Sequence, residues 1–211
     1  MVVRSVNFFG HAAVASWSSS NAGVALGSMI PDFSTMSGAR VAHTGDADVA
    51  IGIELHHATD AAFHTLPVVT GLMRELGELL DRGGCARGPR RAVAHIGVEL
   101  LLDGVLVDEP AYRESYTRGL AHDASITWRD PGDDERFAAL LARLRAYGVP
   151  DDLRRPEAIT HRLSRILSHR PLLAPSPADL RTIAAALVEY QPRVETASAT
   201  VMRALRVAVA S

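Results

Sequence analysis

The chain has 211 residues, of which 47% are hydrophobic and 22% charged, with a net charge of −2. That length supplies one sizeable core and predicts a single domain over residues 1–211. The composition excludes disorder, no apolar run approaches the roughly 18 residues of a membrane span, and the near-neutral charge argues against nucleic acid as a partner.

Residues 1–16 have the outline of a secretory signal, but Asn7 and His11 interrupt the apolar stretch that such a signal needs. The segment therefore reads as part of the mature fold. The single cysteine, Cys85, has no internal disulfide partner, which suits a reducing, cytoplasmic compartment.

Aromatic residues make up only 5%, alanine and leucine are plentiful, and no stretch sustains the alternation of a half-buried strand. An all-α, single-domain helical bundle is expected. The first helix is predicted over residues 7–16 and a second over 22–30, ending at Pro31, with a polar loop to residue 46. A third spans 48–65, and Pro67 starts a fourth carrying Leu72, Leu76 and Leu80. Residues 81–91, with Gly83, Gly84, Gly88 and Pro89, read as a loop. The pattern is helical again over 92–107, where Val98, Leu101, Leu102 and Val105 form one apolar face, and Pro110 closes it. After a turn cluster at 130–134, Phe137, Leu140, Leu141 and Leu144 share a helical face. Further helices are predicted over 152–167 and 177–209, the latter broken or kinked near Pro192. There is no internal repeat.

Two polar stripes interrupt these apolar helices. His56, Asp60 and His64 are four residues apart and stack on one face of the third helix, and His95, Glu99 and Asp103 repeat that spacing. Glu99 and Asp103 stand amid Ile96, Val98, Leu100, Leu101 and Leu102, where a buried carboxylate is costly unless paired or bound to a cation. A divalent metal held between helices is one compensator; surface stripes or hydrogen-bonded core pairs are the other. His11 and Asp32, near helix termini in the amino-terminal region, add to the case for a site.

The order Asn7-Phe8-x-x-His11, Met29-Ile30-Pro31-Asp32-Phe33, Gly52-Ile53-Glu54-Leu55-His56-x-x-x-Asp60, Leu66-Pro67 and Glu99-x-x-x-Asp103 resembles the acyl carrier protein phosphodiesterase family. Ser168-His169-Arg170-Pro171 is similar to its carboxy-terminal region. The resemblance implies an all-helical, HD-phosphohydrolase-like fold and a metal-dependent phosphodiesterase, a hydrolase of fatty acid biosynthesis. Such an enzyme releases phosphopantetheine from holo acyl carrier protein with a divalent cation, typically manganese, with iron or zinc as alternatives. It implies His11, Asp32, His56, Asp60 and Asp103 as metal ligands, with Asp32 and His11 also as catalytic candidates, and an acidic residue at Glu99. Two departures stand out: His57 occupies a position that is usually basic, and Gly104 one that is usually histidine.

A basic docking surface for an acidic carrier protein would draw on Arg87, Arg90 and Arg91 or on Arg162, Arg165 and Arg170. The alternatives are an HD-like phosphohydrolase of a nucleotide or other small phosphoester, and a helical binding protein whose metal chemistry has decayed. No G-x-x-x-x-G-K loop helps to decide. His43, His122 and His161 carry no assigned role, Trp17 and Trp128 read as packing residues, and Cys85 reads as lying in an exposed loop. The Ala-rich carboxy-terminal segment could pair two copies into a homodimer.

Overall fold

The structure, a computed structural model, describes residues 8–210. The described residues form an all-α fold: α1 (Phe8–Ala15), α2 (Ala22–Ser37), α3 (Ala47–Phe63), α4 (Pro67–Arg82), α5 (Arg87–Leu106), α6 (Pro110–Ala121), α7 (Asp133–Tyr147), α8 (Pro156–Leu167) and α9 (Pro177–Val209). Two short strands, β1 (Val41–Thr44) and β2 (Ile126–Trp128), and a 3-10 turn at Asp151–Arg154 complete it. Asn7, where the first helix is predicted to start, lies outside the described residues, as do residues 1–7 of the stretch bearing on the secretory-signal reading.

Several elements differ from expectation. Helix α2 does not stop at Pro31 but continues to Ser37, where Gly38, at φ 73°, donates its N–H to the Ser34 carbonyl. Proline costs one hydrogen bond inside a helix, but Met29, Ile30, Asp32 and Phe33 are all buried around it, and that burial carries the helix through. Pro192 likewise sits inside an unbroken α9. The loop at 81–91 shrinks to the four residues between α4 and α5, because Gly88 and Pro89 fall in the first turn of α5, where a missing N–H is harmless. Pro110 opens α6 instead of closing a helix, and α6 itself was not foreseen. The polar stretch before Asp46 contains β1, which pairs antiparallel with β2 through Val41↔Trp128, His43↔Thr127 and Thr44↔Ile126.

Contacts gather the chain into two compact units interleaved in sequence. One takes the chain to Ala62 together with Leu106–Pro150, and the other takes Phe63–Val105 together with Asp151 onward. In the amino-terminal unit α1, α2 and α6 pack on one another and α7 joins α2 and α6. Phe8, Phe9, Phe33 and Tyr116 form its aromatic centre, with Phe8 and Phe33 ring centroids 5.5 Å apart. Asn21 caps α2 by accepting from the Gly23 N–H at 2.7 Å. Asp133, at the start of α7, accepts from the Arg40 N–H at 2.9 Å and pairs with Arg136, which ties the small sheet to the helices.

In the carboxy-terminal unit α9 packs on α4 and α8. Leu72, Leu76 and Leu80 of α4 face inward as their spacing predicts, with Ile159 and Leu163 of α8 and Ile183 and Leu187 of α9. Ser176 and Asp179 form a reciprocal capping box at the start of α9. Asp179 also accepts from the Ala86 N–H at 2.7 Å, which fixes the start of α5.

Candidate metal centre

Two helices approach at backbone contact to build the first group of ligating side chains. A Cβ on Gly27 of α2 would overlap the Val49 carbonyl of α3, and one on Gly52 of α3 would overlap the Val24 carbonyl of α2. Only glycine allows so close a crossing. It brings the Ser28 carbonyl within 2.9 Å of His56 Nδ1. The third element, α1, is anchored from α6 by the Ser115 hydroxyl, which donates to the Ala12 carbonyl at 2.7 Å, and so carries His11 into the same place.

There His11 Nε2 lies 3.3 Å from Asp60 Oδ1 and 3.9 Å from Asp32 Oδ2, while His56 Nε2 lies 3.5 Å from Asp60 Oδ2. The two imidazoles stack with centroids 3.9 Å apart. His11, Asp32 and His56 are buried; Asp60 retains 36% of its side-chain exposure and is the group's outlet to solvent. Burial, reinforced by the neighbouring His11, pushes the His56 imidazolium down to about 3, so His56 is neutral at physiological pH. With Nδ1–H donating to the Ser28 carbonyl, the lone pair sits on Nε2 and faces the Asp60 carboxylate. Lone pair against carboxylate is unfavourable unless a cation stands between them, and fixing a histidine tautomer through a backbone carbonyl is how proteins orient metal ligands. Both ring nitrogens of His11 are buried with no hydrogen-bond partner, in accord with a ligand's position. The donor set therefore fits a divalent ion, with His11, His56 and Asp60 mutually within ligating distance.

A second group occupies the carboxy-terminal unit. His64, one residue beyond α3, and His95 and Glu99, one turn apart on α5, also converge, with both Nε2 atoms on Glu99 Oε1 at 3.6 and 3.3 Å. The sequence reading aligned His64 with His56 and Asp60 in one stripe. The structure divides that stripe because α3 ends at Phe63 and the chain turns toward Pro67, the first residue of α4. A helix start at Leu66-Pro67 was the signal that His64 leaves the stripe. His95 was aligned with Glu99 but not taken as a ligand. Asp103 is buried on α5 and belongs to neither group among the described residues.

Gly104, where the resemblance leads one to expect histidine, packs against the chain at residue 153: a Cβ there would overlap the Leu153 carbonyl. That position is taken by backbone packing and has no room for a side chain. His57 is exposed beside His56. Cys85 is not in an exposed loop; it is buried against Asp179, and burial with that carboxylate pushes its thiol up to about 12, which removes it as a nucleophile. Of the unassigned histidines, His122 bonds Asp46 at 2.8 Å, and Asp46 in turn accepts from the Asp48 and Val49 N–H groups at the start of α3. Trp128 packs on Phe137, as a packing residue should.

No protein family, curated protein or solved structure matches the chain. What the fold and its side chains define is an all-α protein that carries, among the described residues, two groups of histidine and carboxylate that could hold a metal ion. No described helix is long and apolar enough to cross a membrane.

Proposed function

We propose that the chain is a metal-dependent phosphodiesterase that releases phosphopantetheine from a holo acyl carrier protein, with His11, His56 and Asp60 holding the ion and Asp32 beside it. The observation that carries this reading is the buried convergence of two imidazoles on the Asp60 carboxylate, with the tautomer of one set by the Ser28 carbonyl. Manganese or iron suits a set of two imidazoles with carboxylate oxygens. The bound ion would polarise the phosphoryl oxygens and lower the pKa of the attacking water.

The remaining work falls to the chain's own groups. Asp32, buried at 3.9 Å from His11 Nε2, orients the water, accepts its proton as the water oxygen bonds to phosphorus, and returns that proton to the carrier serine oxygen as the phosphorus–serine bond breaks. His56, neutral and clamped by Ser28, keeps its ring in place and adds no charge. Asp60, the most exposed of the set, marks the side from which a phosphodiester approaches. Of the arginines that could attract an acidic carrier, Arg90 pairs with Asp81 and Arg162 with Asp152, which leaves Arg87, Arg91, Arg165 and the half-buried Arg170.

The test is hydrolysis of a generic aryl phosphodiester, and of holo acyl carrier protein, by chelator-stripped protein resupplied with manganese. Activity on both that is lost in His56→Ala and Asp32→Asn supports the reading. Activity on the aryl ester alone points instead to another small phosphoester as substrate. Absence of both, with manganese bound, overturns the hydrolase.

A further inference from the structure

Outside the group just described, His64, His95 and Glu99 bring their ligand atoms together. We propose that these three hold a zinc-class divalent ion in four-coordinate geometry, with the fourth position open to a ligand from solvent. The inference does not depend on the phosphodiesterase reading, because none of its residues belongs to that site.

Three observations carry it. The first is distance. Tetrahedral bonds of about 2.0–2.2 Å to imidazole nitrogen and carboxylate oxygen place donor atoms about 3.3–3.5 Å apart, whereas octahedral neighbours at such lengths stand nearer 3.0 Å. The separations from Glu99 Oε1 are 3.3 Å to His95 Nε2 and 3.6 Å to His64 Nε2, on the tetrahedral side. The second is the burial of charge. The Glu99 side chain is wholly buried on a helix whose Ile96, Val98 and Leu100 are buried too, and its Oε1 faces the Nε2 atoms of both histidines, so an anionic ligand atom is held in the core beside two imidazole nitrogens. The third is access. The side chains of His64 and His95 keep 31% and 29% of their exposure, and His95 lines a groove of about 450 Å³ together with Met73, Arg74, Asp81, Arg91 and Ala94. A buried carboxylate with two half-open histidines has the form of a site with an entry path and a free coordination position, unlike a closed structural site. The imidazoles stack at 4.6 Å and 21°, so both rings present Nε2 to the same carboxylate from one side. The groove, whose Arg74 and Arg90 pair with its own Glu78 and Asp81, gives water a path to His95.

Full-length protein, stripped of metal, is titrated first with zinc and then with cobalt(II), whose visible absorption is intense when four-coordinate and weak when six-coordinate. The expected result is a zinc equivalent in the wild type that disappears in His95→Ala and in His64→Ala, together with the intense cobalt bands, and that persists in His56→Ala. Both histidines are partly exposed, so truncation should leave the helices intact, which circular dichroism verifies. Glu99→Gln, which keeps volume and removes charge, should weaken zinc binding at least tenfold. The inference is overturned if His95→Ala and His64→Ala bind as much zinc as the wild type, or if cobalt gives only weak bands. A normal zinc equivalent here with no hydrolysis would count against the phosphodiesterase reading alone.

Discussion

The two groups that could hold a metal ion each set two imidazoles against a carboxylate and differ in access. In the amino-terminal unit both histidines are buried, and one has its tautomer set by a backbone carbonyl. In the carboxy-terminal unit the histidines are half open and it is the carboxylate that is buried. Burial keeps His56 neutral and, with its Nδ1–H on the Ser28 carbonyl, yields a preorganised nitrogen lone pair, whereas the half-open histidines of the second group leave a way in from solvent. The first arrangement favours orientation and the second favours capture. Chemistry therefore follows from which partner the core encloses, and not from the ligand list alone.

The largest expected effect separates the two groups directly. His56→Ala should reduce metal affinity of the first group by roughly a hundredfold or more and leave the second unchanged, read by calorimetric titration against manganese and zinc. Loss at both groups would break the comparison. Next, Gly27→Ala forces α2 and α3 apart at a backbone contact, which should cost about 1–3 kcal/mol in denaturant unfolding. It should also weaken the first group by moving the Ser28 carbonyl away from His56. Gly104→His tests the carboxy-terminal unit in the same way, since the new side chain meets the Leu153 carbonyl. It should cost a similar amount, again about 1–3 kcal/mol, and gain no activity.

The smallest effects concern acid. Backbone N–H groups of Arg40 and Asp130 hold the Asp133 carboxyl below the usual carboxylate range, and those of Ala86 and Ser176, with the Ser176 hydroxyl, do the same for Asp179. Because the unfolded chain takes up these protons first, each contribution is complete above the ordinary carboxylate range and is lost as pH falls through it. Asp133→Asn and Asp179→Asn should each lower stability at neutral pH and flatten the acid limb of an unfolding-midpoint curve. A variant whose acid limb stays as steep as the wild type would show that its aspartate is not the group responsible.

Much of this was legible in the chain. The leucine spacing of α4 and the Phe137, Leu140, Leu141 and Leu144 face of α7 were read correctly, because a one-sided apolar stripe has a single solution. His11, His56 and Asp60 were picked out by type and order and do converge. Reading failed where burial overruled a local signal. Pro31 looks like a stop and is passed over, because Met29, Ile30, Asp32 and Phe33 around it are enclosed, while α9 runs unbroken through the exposed Pro192. Cys85 looks exposed among glycines and is not. The two short strands are too brief to show an alternation, and α6 has no periodic apolar face strong enough to announce it.

The amino-acid sequence by itself determined that the protein is helical and which residue types could serve a metal, because helical period and side-chain chemistry are local properties. How those residues are grouped was decided only by tertiary structure. His64 is eight residues from His56 and on the same stripe of the sequence, yet it converges with His95 and Glu99, while His56 converges with His11, from a helix far away in the chain. The division depends on a helix end at Phe63 and on a glycine crossing that admits no side chain, and neither partner of such a contact can be identified until the backbones meet.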